Sequence, residues 1–342
     1  MMTTDELRRM PKVELHRHLE CSLRHATLRE LAPAAGIEVP NSEAEFKRQL
    51  LVTEPMRDLE SVLRKFLATQ QVLSSEEILT RITFEAIEDA WRDGIRILEL
   101  RYAPTFIRQG HEHLSFEKIH EAILKGAAIA QHLPIAVGFI SIIQRILPIE
   151  TAREVMDFTI AHKQEFVGVD LADNEVGFDL DSFAPLFQRA RSSGLKVTIH
   201  SGEADVPDAP TFVQQAIEKL GAQRIGHGVQ IHRSAAVMNY VKDHRIPLEL
   251  CPTSNWLTNA VGSTKEHPFR KLMEHGILVT INSDDPGVFD IDLTHEYRIL
   301  QEEQGLTAAD FQRCNDVAAA ASFIPMANKQ RVWPRVIAES II

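Results

Sequence analysis

The sequence predicts an α/β fold, a single (β/α)8 TIM barrel. Three observations carry this. Eight short β-rich runs alternate with longer amphipathic stretches, the pattern of parallel βα units. The chain of 342 residues falls within the range of one such barrel. Polar, chemistry-bearing residues recur just where the strand runs end, which is the face on which barrels of this kind build their sites.

The strand runs, in order, are 12–19 (KVELHRHL), 95–103 (IRILELRYA), 135–142 (IAVGFISI), 166–171 (FVGVDL), 195–200 (LKVTIH), 224–229 (RIGHGV), 246–250 (IPLEL) and 276–282 (GILVTIN). Helical periodicity lies between them, over 76–93, 116–132, 149–163, 181–193, 211–220 and 234–243. One domain, 1–342, is expected. A helix-rich stretch, about 25–71, is too long for a plain crossover and reads as a helical lid inserted between strands one and two. From residue 293 to 342 the chain turns helical again and is expected to pack outside the barrel.

Composition narrows the function. Hydrophobic residues make up 44%, enough for a large core, without a run of 18 apolar residues that would span a membrane. The N-terminal MMTTDELRRM has no apolar signal-like run. Three cysteines, Cys21, Cys251 and Cys314, are too few and too dispersed for a disulfide framework, so a reducing, cytoplasmic location is expected. A net charge of −11 disfavours nucleic acid as partner but leaves a small purine open.

The strand ends hold the chemistry. Strand one carries His16 and His18, two residues apart and therefore on one face. Strand five ends in His200-Ser201-Gly202-Glu203, strand six carries His227, and strand eight ends in Ser283-Asp284-Asp285-Pro286. Three imidazoles (His16, His18, His200) and the Asp284 carboxylate suit one zinc ion and leave a position for water. Glu203 could move protons. His227 and Asp285 could orient the attacking water and stabilise charge. Taken singly, each motif has an ordinary reading: two unrelated histidines, a polar strand end, a tight GHG turn, a Pro-initiated turn at Asp-Asp-Pro. Their joint recurrence at strands one, five, six and eight is what turns and caps do not explain. Strand four ends in DLADNE without a lysine, which favours one metal over the lysine-bridged two-metal pattern. The H-x-E with P-C-x-x-C zinc signature is absent, as are G-x-S-x-G, P-loop and G-x-G-x-x-G motifs.

The motifs KVELHRHLE, ELRYAP, VDLADNE, HSGE, RIGHGV, LELCPTSN and NSDDP, in this order over about residues 9–290, resemble the adenosine deaminase family of the amidohydrolase superfamily; ASFIP near residue 321 resembles its C-terminal tail. The resemblance implies a barrel with one zinc and hydrolytic removal of the 6-amino group of an adenine-type purine, releasing ammonia. It implies His16, His18, His200 and Asp284 as ligands, Glu203 as the acid that protonates ring N1, and His227 and Asp285 as the residues positioning the nucleophile. Adenosine is the first substrate expected. Adenine and an aminodeoxyfutalosine-type compound remain open, as do a non-purine substrate for a mononuclear amidohydrolase and a non-catalytic purine-binding barrel.

Three residues, at two places in the chain, depart from the adenosine-specific pattern. Glu20 and Cys21 stand where Asp and Gly are usual, and that Asp touches ribose in adenosine-specific members. Asp173 stands where a Gly presents its N–H to the purine. Its carboxyl group either contacts the purine edge or turns away. Both Glu20 and Asp173 are therefore candidate substrate contacts. Cys21 is expected to pack near the site, Cys251 and Asn255 to shape the end of strand seven, and Glu249 to pair with Arg101 below it. Leu59, Val62, Leu63 and Phe66 are candidates for a wall of the purine pocket.

Overall fold

The structure, a computed structural model, describes residues 1–55 and 59–342, the side chains of 59–64 excepted. Eight parallel strands form one sheet in chain order: β1 (Lys12–His18), β2 (Ile95–Tyr102), β3 (Ala136–Gln144), β4 (Phe166–Ala172), β5 (Lys196–Ser201), β6 (Arg224–His227), β7 (Leu248–Leu250) and β8 (Val279–Ile281). Each sequence-predicted run contains its observed strand or overlaps it to within two residues. Strands of this kind are covered on the outside by the intervening helices, so they are apolar with few interruptions. The interruptions are therefore informative.

The sheet closes on itself by a single bridge between Arg17 and Asp284. His18 N–H donates to Asp284 O at 2.9 Å, and Asp284 N–H to His16 O at 3.0 Å. Further down, the Asn282 side chain stands in for missing backbone and accepts from Leu15 N–H at 2.9 Å. The seam of the barrel thus runs through the same residues that carry the chemistry.

β1 holds one residue more than β2 between Glu14 and Arg17. Such an extra residue locally bends and twists the strand. Val13 and Leu15 join an apolar cluster with Ala318–Ala321, Ile324 and Trp333, while His16 and His18 turn toward Asp284.

The C-terminal helices span Leu293–Gln304, Ala308–Ala321 and Met326–Val332. The stretch after Ala308–Ala321 seals the N-terminal end of the barrel. Buried Arg224 donates to Ala321 O at 3.0 Å and stacks on the Phe323 ring, and Glu99 accepts from Ser322 Oγ at 2.8 Å. Buried charges need partners to survive desolvation, and here the tail supplies them.

Between β1 and β2 run helices His25–Leu31, Glu43–Leu50, Leu59–Gln71 and Glu76–Arg92. Val52 N–H donates to Val288 O at 2.9 Å, and Val52, Phe66, Cys21, Leu257 and Phe289 pack together. This insertion therefore meets the loop after β8. The side chains of Leu59, Val62 and Leu63 lie outside the described residues. Among the described residues, no helix is long and apolar enough to cross a membrane.

Candidate metal centre and active site

Four side chains converge at the C-terminal end of the barrel. His16 Nε2 lies 3.2 Å and His18 Nε2 3.3 Å from the same Asp284 oxygen, Oδ1. His18 Nε2 and His200 Nε2 lie 3.3 Å apart. Tetrahedral ligands about 2.0–2.1 Å from zinc stand about 3.3 Å from one another, so these separations fit one shared ion. His16 Nε2 is fully buried without a hydrogen-bond partner, an arrangement that costs free energy unless something else occupies its lone pair. The donor set therefore fits a divalent metal.

The ligand side chains are held from behind. Glu249 Oε2 lies 2.8 Å from His16 Nδ1, and Asp170 Oδ2 lies 2.8 Å from His200 Nδ1. A carboxylate behind an imidazole keeps the far nitrogen free of its proton and aimed at the metal. Arg101 joins the two carboxylates, donating to Asp170 and Glu249 at 2.7 Å each. The expected Arg101–Glu249 pair is thus present, inside a larger buried network. Burial alone would raise the Glu249 carboxyl, but Arg101 and Arg224 outweigh it and hold the group well below the usual carboxylate range. Ser254 Oγ donates to the other Asp284 oxygen at 2.6 Å, and Asp284 sits at φ 62°, which turns its carboxylate off the strand toward the histidines.

Two glutamates shape the loop after β5. Glu175 is buried and accepts from the backbone N–H groups of Gly202, Glu203 and Ala204 at 2.8, 2.9 and 2.8 Å. This cradle presents the Glu203 side chain, whose Oε1 accepts from Thr258 Oγ1 at 3.0 Å. Its other oxygen lies 3.6 Å from His227 Nε2. His227 Nε2 is 4.0 Å from Asp284. Gly226 has a steric reason: a side chain there would sit 2.9 Å from the His16 ring, so β6 must carry glycine to let His16 approach.

A cavity of about 190 Å3 opens beside this cluster, lined among others by Glu20, Cys21, Phe66, Phe106, Asp173 and Asp285. Glu20 Oε1 accepts from Ala103 N–H at 3.0 Å; its Oε2 is buried and unpartnered. Burial pushes the Glu20 carboxyl up, and the Asp173 carboxyl likewise. Burial, and then Asp284 beside it, pushes Asp285 up to about 7. Asp173 adopts φ 76°, a conformation glycine takes without strain. Burial raises the Cys21 thiol well above its usual range, consistent with a packing residue. A wider groove of about 720 Å3 lies elsewhere, between the N-terminal helix and the loop after β8; its arginines and aspartates, such as Arg8 and Asp292, pair with each other.

The candidate ligand, catalytic and substrate-contact residues lie together here: His16, His18, His200, His227, Asp284 and Asp285 at the cluster, Glu203 beside it, Glu20 and Asp173 along the cavity. The sequence reading passed over Asp170, Glu175, Ser254 and Thr258. Asp170 had a visible signal, a carboxylate inside the apolar run FVGVDL. The others are ordinary loop and turn residues until the fold brings them in.

A (β/α)8 barrel with a histidine–aspartate metal cluster at the C-terminal mouth defines a metal-dependent hydrolase. The family is then specified by comparison: the adenosine deaminase family model matches residues 11–339, and the chain belongs to that family, whose members are hydrolytic deaminases. It is 35% identical over 324 residues to the adenosine deaminase of Edwardsiella ictaluri (strain 93-146), covering 94% of this chain and 96% of that one. Among solved structures, it is similar to the adenine deaminase of Arthrobacter aurescens, with TM-score 0.85, 26% identity and coverage of 94% and 97%. It is also similar to the N6-methyl-AMP deaminase of Arabidopsis thaliana, with TM-score 0.80, 28% identity and coverage of 96% and 97%.

Proposed function

We propose that this protein is a cytoplasmic enzyme that hydrolyses the 6-amino group from an adenine-type purine, adenosine first, with one zinc ion per chain. The observation that carries the reading is the convergence of His16 and His18 Nε2 on one Asp284 oxygen, with His200 Nε2 3.3 Å from His18 Nε2, beside a cavity lined by His18, His200 and Asp285. His16, His18, His200 and Asp284 are the ligands. Zinc, when bound, supplies a water acidified to a pKa of about 7 and a Lewis acid at its oxygen.

The chain's own groups do the rest. The Glu203 carboxylate takes up the proton of the attacking water and passes it to ring N1, so that the electron pair pushed onto N1 during attack at C6 is neutralised. His227 and Asp285 hold the attacking oxygen in place beside Glu203. Phe66 and Phe106 flank the cavity and exclude water from the ring faces. Residues 25–71 act as a lid over this mouth, within a single domain spanning 1–342.

A second reading, adenine itself, is favoured by one feature. Glu20 and Asp173 line a small cavity with carboxyl oxygens, Glu20 Oε2 among them unpartnered, that can accept the N–H that a free base has and a nucleoside lacks. Ammonia release by the zinc-loaded protein from adenosine, 2′-deoxyadenosine, adenine and aminodeoxyfutalosine separates the readings. Release from none of them, with zinc bound, overturns the purine assignment. His200→Ala is expected to lose both zinc and turnover; turnover retained without metal overturns the metal mechanism.

A further inference from the structure

We propose that Asn255 and His267 are positioning residues that hold His227 in the tautomer carrying its proton on Nε2, so that it faces the metal centre as a hydrogen-bond donor.

Three contacts link a backbone amide to the site. Phe269 N–H donates to His267 Nδ1 at 3.1 Å. His267 Nε2 lies 3.1 Å from Asn255 Oδ1. Asn255 Nδ2 lies 3.1 Å from His227 Nδ1. All three side chains are buried, with exposures of 3%, 0% and 1% for His267, Asn255 and His227.

The polarity of this chain follows from its far end. A backbone N–H only donates, so His267 Nδ1 must be the bare acceptor. His267 is then protonated at Nε2 and donates to Asn255 Oδ1. The Asn255 amide is thereby oriented, and its Nδ2–H donates to His227 Nδ1. The remaining His227 proton sits on Nε2. Reversing the Asn255 amide would require His267 to carry its proton on Nδ1, against the Phe269 N–H, and would leave two buried donors facing each other. Burial, with His232 and His227 nearby, also pushes His267 down to about 3, so it is neutral and carries one ring proton.

Position reinforces the assignment. His227 sits at φ 61°, uncommon for a residue with a side chain, and this turns its ring into the mouth. Its Nε2 stands between Glu203 Oε2 at 3.6 Å and Asp284 Oδ2 at 4.0 Å. A ring with a proton there is neither a metal ligand nor a base for the attacking water. It donates to the attacking oxygen and leaves that water's proton to the Glu203 carboxylate. This catalytic consequence rests on the deaminase reading; the tautomer does not.

The test is 15N-edited imidazole NMR of the zinc-loaded protein, with kcat and metal content on the same samples. The expected wild-type spectrum has His227 Nδ1 bare and Nε2 protonated. Asn255→Asp replaces the donor by an acceptor and is expected to move the His227 proton to Nδ1. His267→Leu, which frees the Asn255 amide, and Asn255→Asp are each expected to lower kcat about 10- to 100-fold with zinc retained. His267→Gln restores a donor near the former Nε2 position and is expected to recover most of the lost rate. A wild-type His227 protonated on Nδ1 overturns the proposal. So does His267→Leu with kcat within about twofold of wild type and an unchanged His227 spectrum. A wild-type protein with the expected tautomer but no deamination of any purine sinks the deaminase reading and leaves the relay standing.

Discussion

Glu249, on β7, lies 2.8 Å from His16 Nδ1, on β1, and this contact crosses the barrel seam from behind the metal cluster. The same Glu249 oxygen accepts from Arg101, and the other accepts from Arg224 at 2.7 Å. One buried carboxylate therefore sets an imidazole's orientation and pairs with two buried guanidiniums, which Asp170 and Glu99 also partner. Glu249→Gln is expected to weaken metal binding about 10- to 100-fold. It is also expected to cost up to about 3–5 kcal/mol of stability, because two buried cations lose a charged partner. Chelator competition and thermal unfolding measure the two effects; unchanged metal affinity would remove Glu249 from its supporting role.

Glu175 acts on the loop rather than the metal. Its carboxylate gathers three consecutive N–H groups and so fixes where Glu203 stands. Glu175→Gln has half the acceptor capacity for the same donors. Turnover is expected to fall about 10- to 100-fold with metal content unchanged, since small displacements of a proton-transfer group carry large rate penalties. Parallel measurement of zinc content and kcat checks this, and loss of zinc in the variant would count against it.

Glu20 has one oxygen bound to Ala103 N–H and one buried oxygen without a partner beside the cavity. A substrate donor at that oxygen accounts for the otherwise costly burial. Glu20→Gln is expected to lower kcat/KM about 10-fold or more for the compound whose donor Glu20 meets, mainly through KM. Comparing adenosine with adenine identifies that compound. Equal, near-wild-type values for both would mean Glu20 touches neither.

His120 lies outside the site, with its Nδ1 2.7 Å from the Tyr102 hydroxyl and its ring stacked on Phe166. Burial, and then His162 beside it, pushes it down to about 4. Between that value and about 6.5 the unfolded chain binds a proton here that the native chain refuses. The group's contribution is thus complete above pH 6.5 or so and is lost as pH falls toward 4, at a slope approaching about 1.4 kcal/mol per pH unit. His120→Gln removes that slope. Urea unfolding of both proteins at about pH 7 and about pH 5 reads the difference; identical losses on acidification would exclude it.

Legibility followed physical range. H-x-H is visible because strand periodicity puts residues two apart on one face, and HSGE, GHG and SDDP are visible because each abuts an apolar run. Glu249 and Arg101 stood out as charges inside strands. Glu175 did not: its role depends on a loop 27 residues away folding back over it. Asn255 read as a shaping residue of strand seven, yet its amide contacts His227, a relation set by how two loops pack. The C-terminal tail read as exterior helix; its seat beneath the barrel depends on Arg224 and Glu99 needing partners that periodicity does not reveal.

By itself the sequence determined the barrel, the number and order of its strands, and the residue types gathered at their C-terminal ends, because hydrophobic period and strand-end position are local properties of a chain. Only the tertiary structure decided which oxygen meets which nitrogen. The φ 62° turn of Asp284 and the closure of β8 on β1 bring His16 and His18 within ligand spacing of that carboxylate, and His200 within ligand spacing of His18. Distances of that kind arise from strands far apart in sequence, and only closing the barrel sets them.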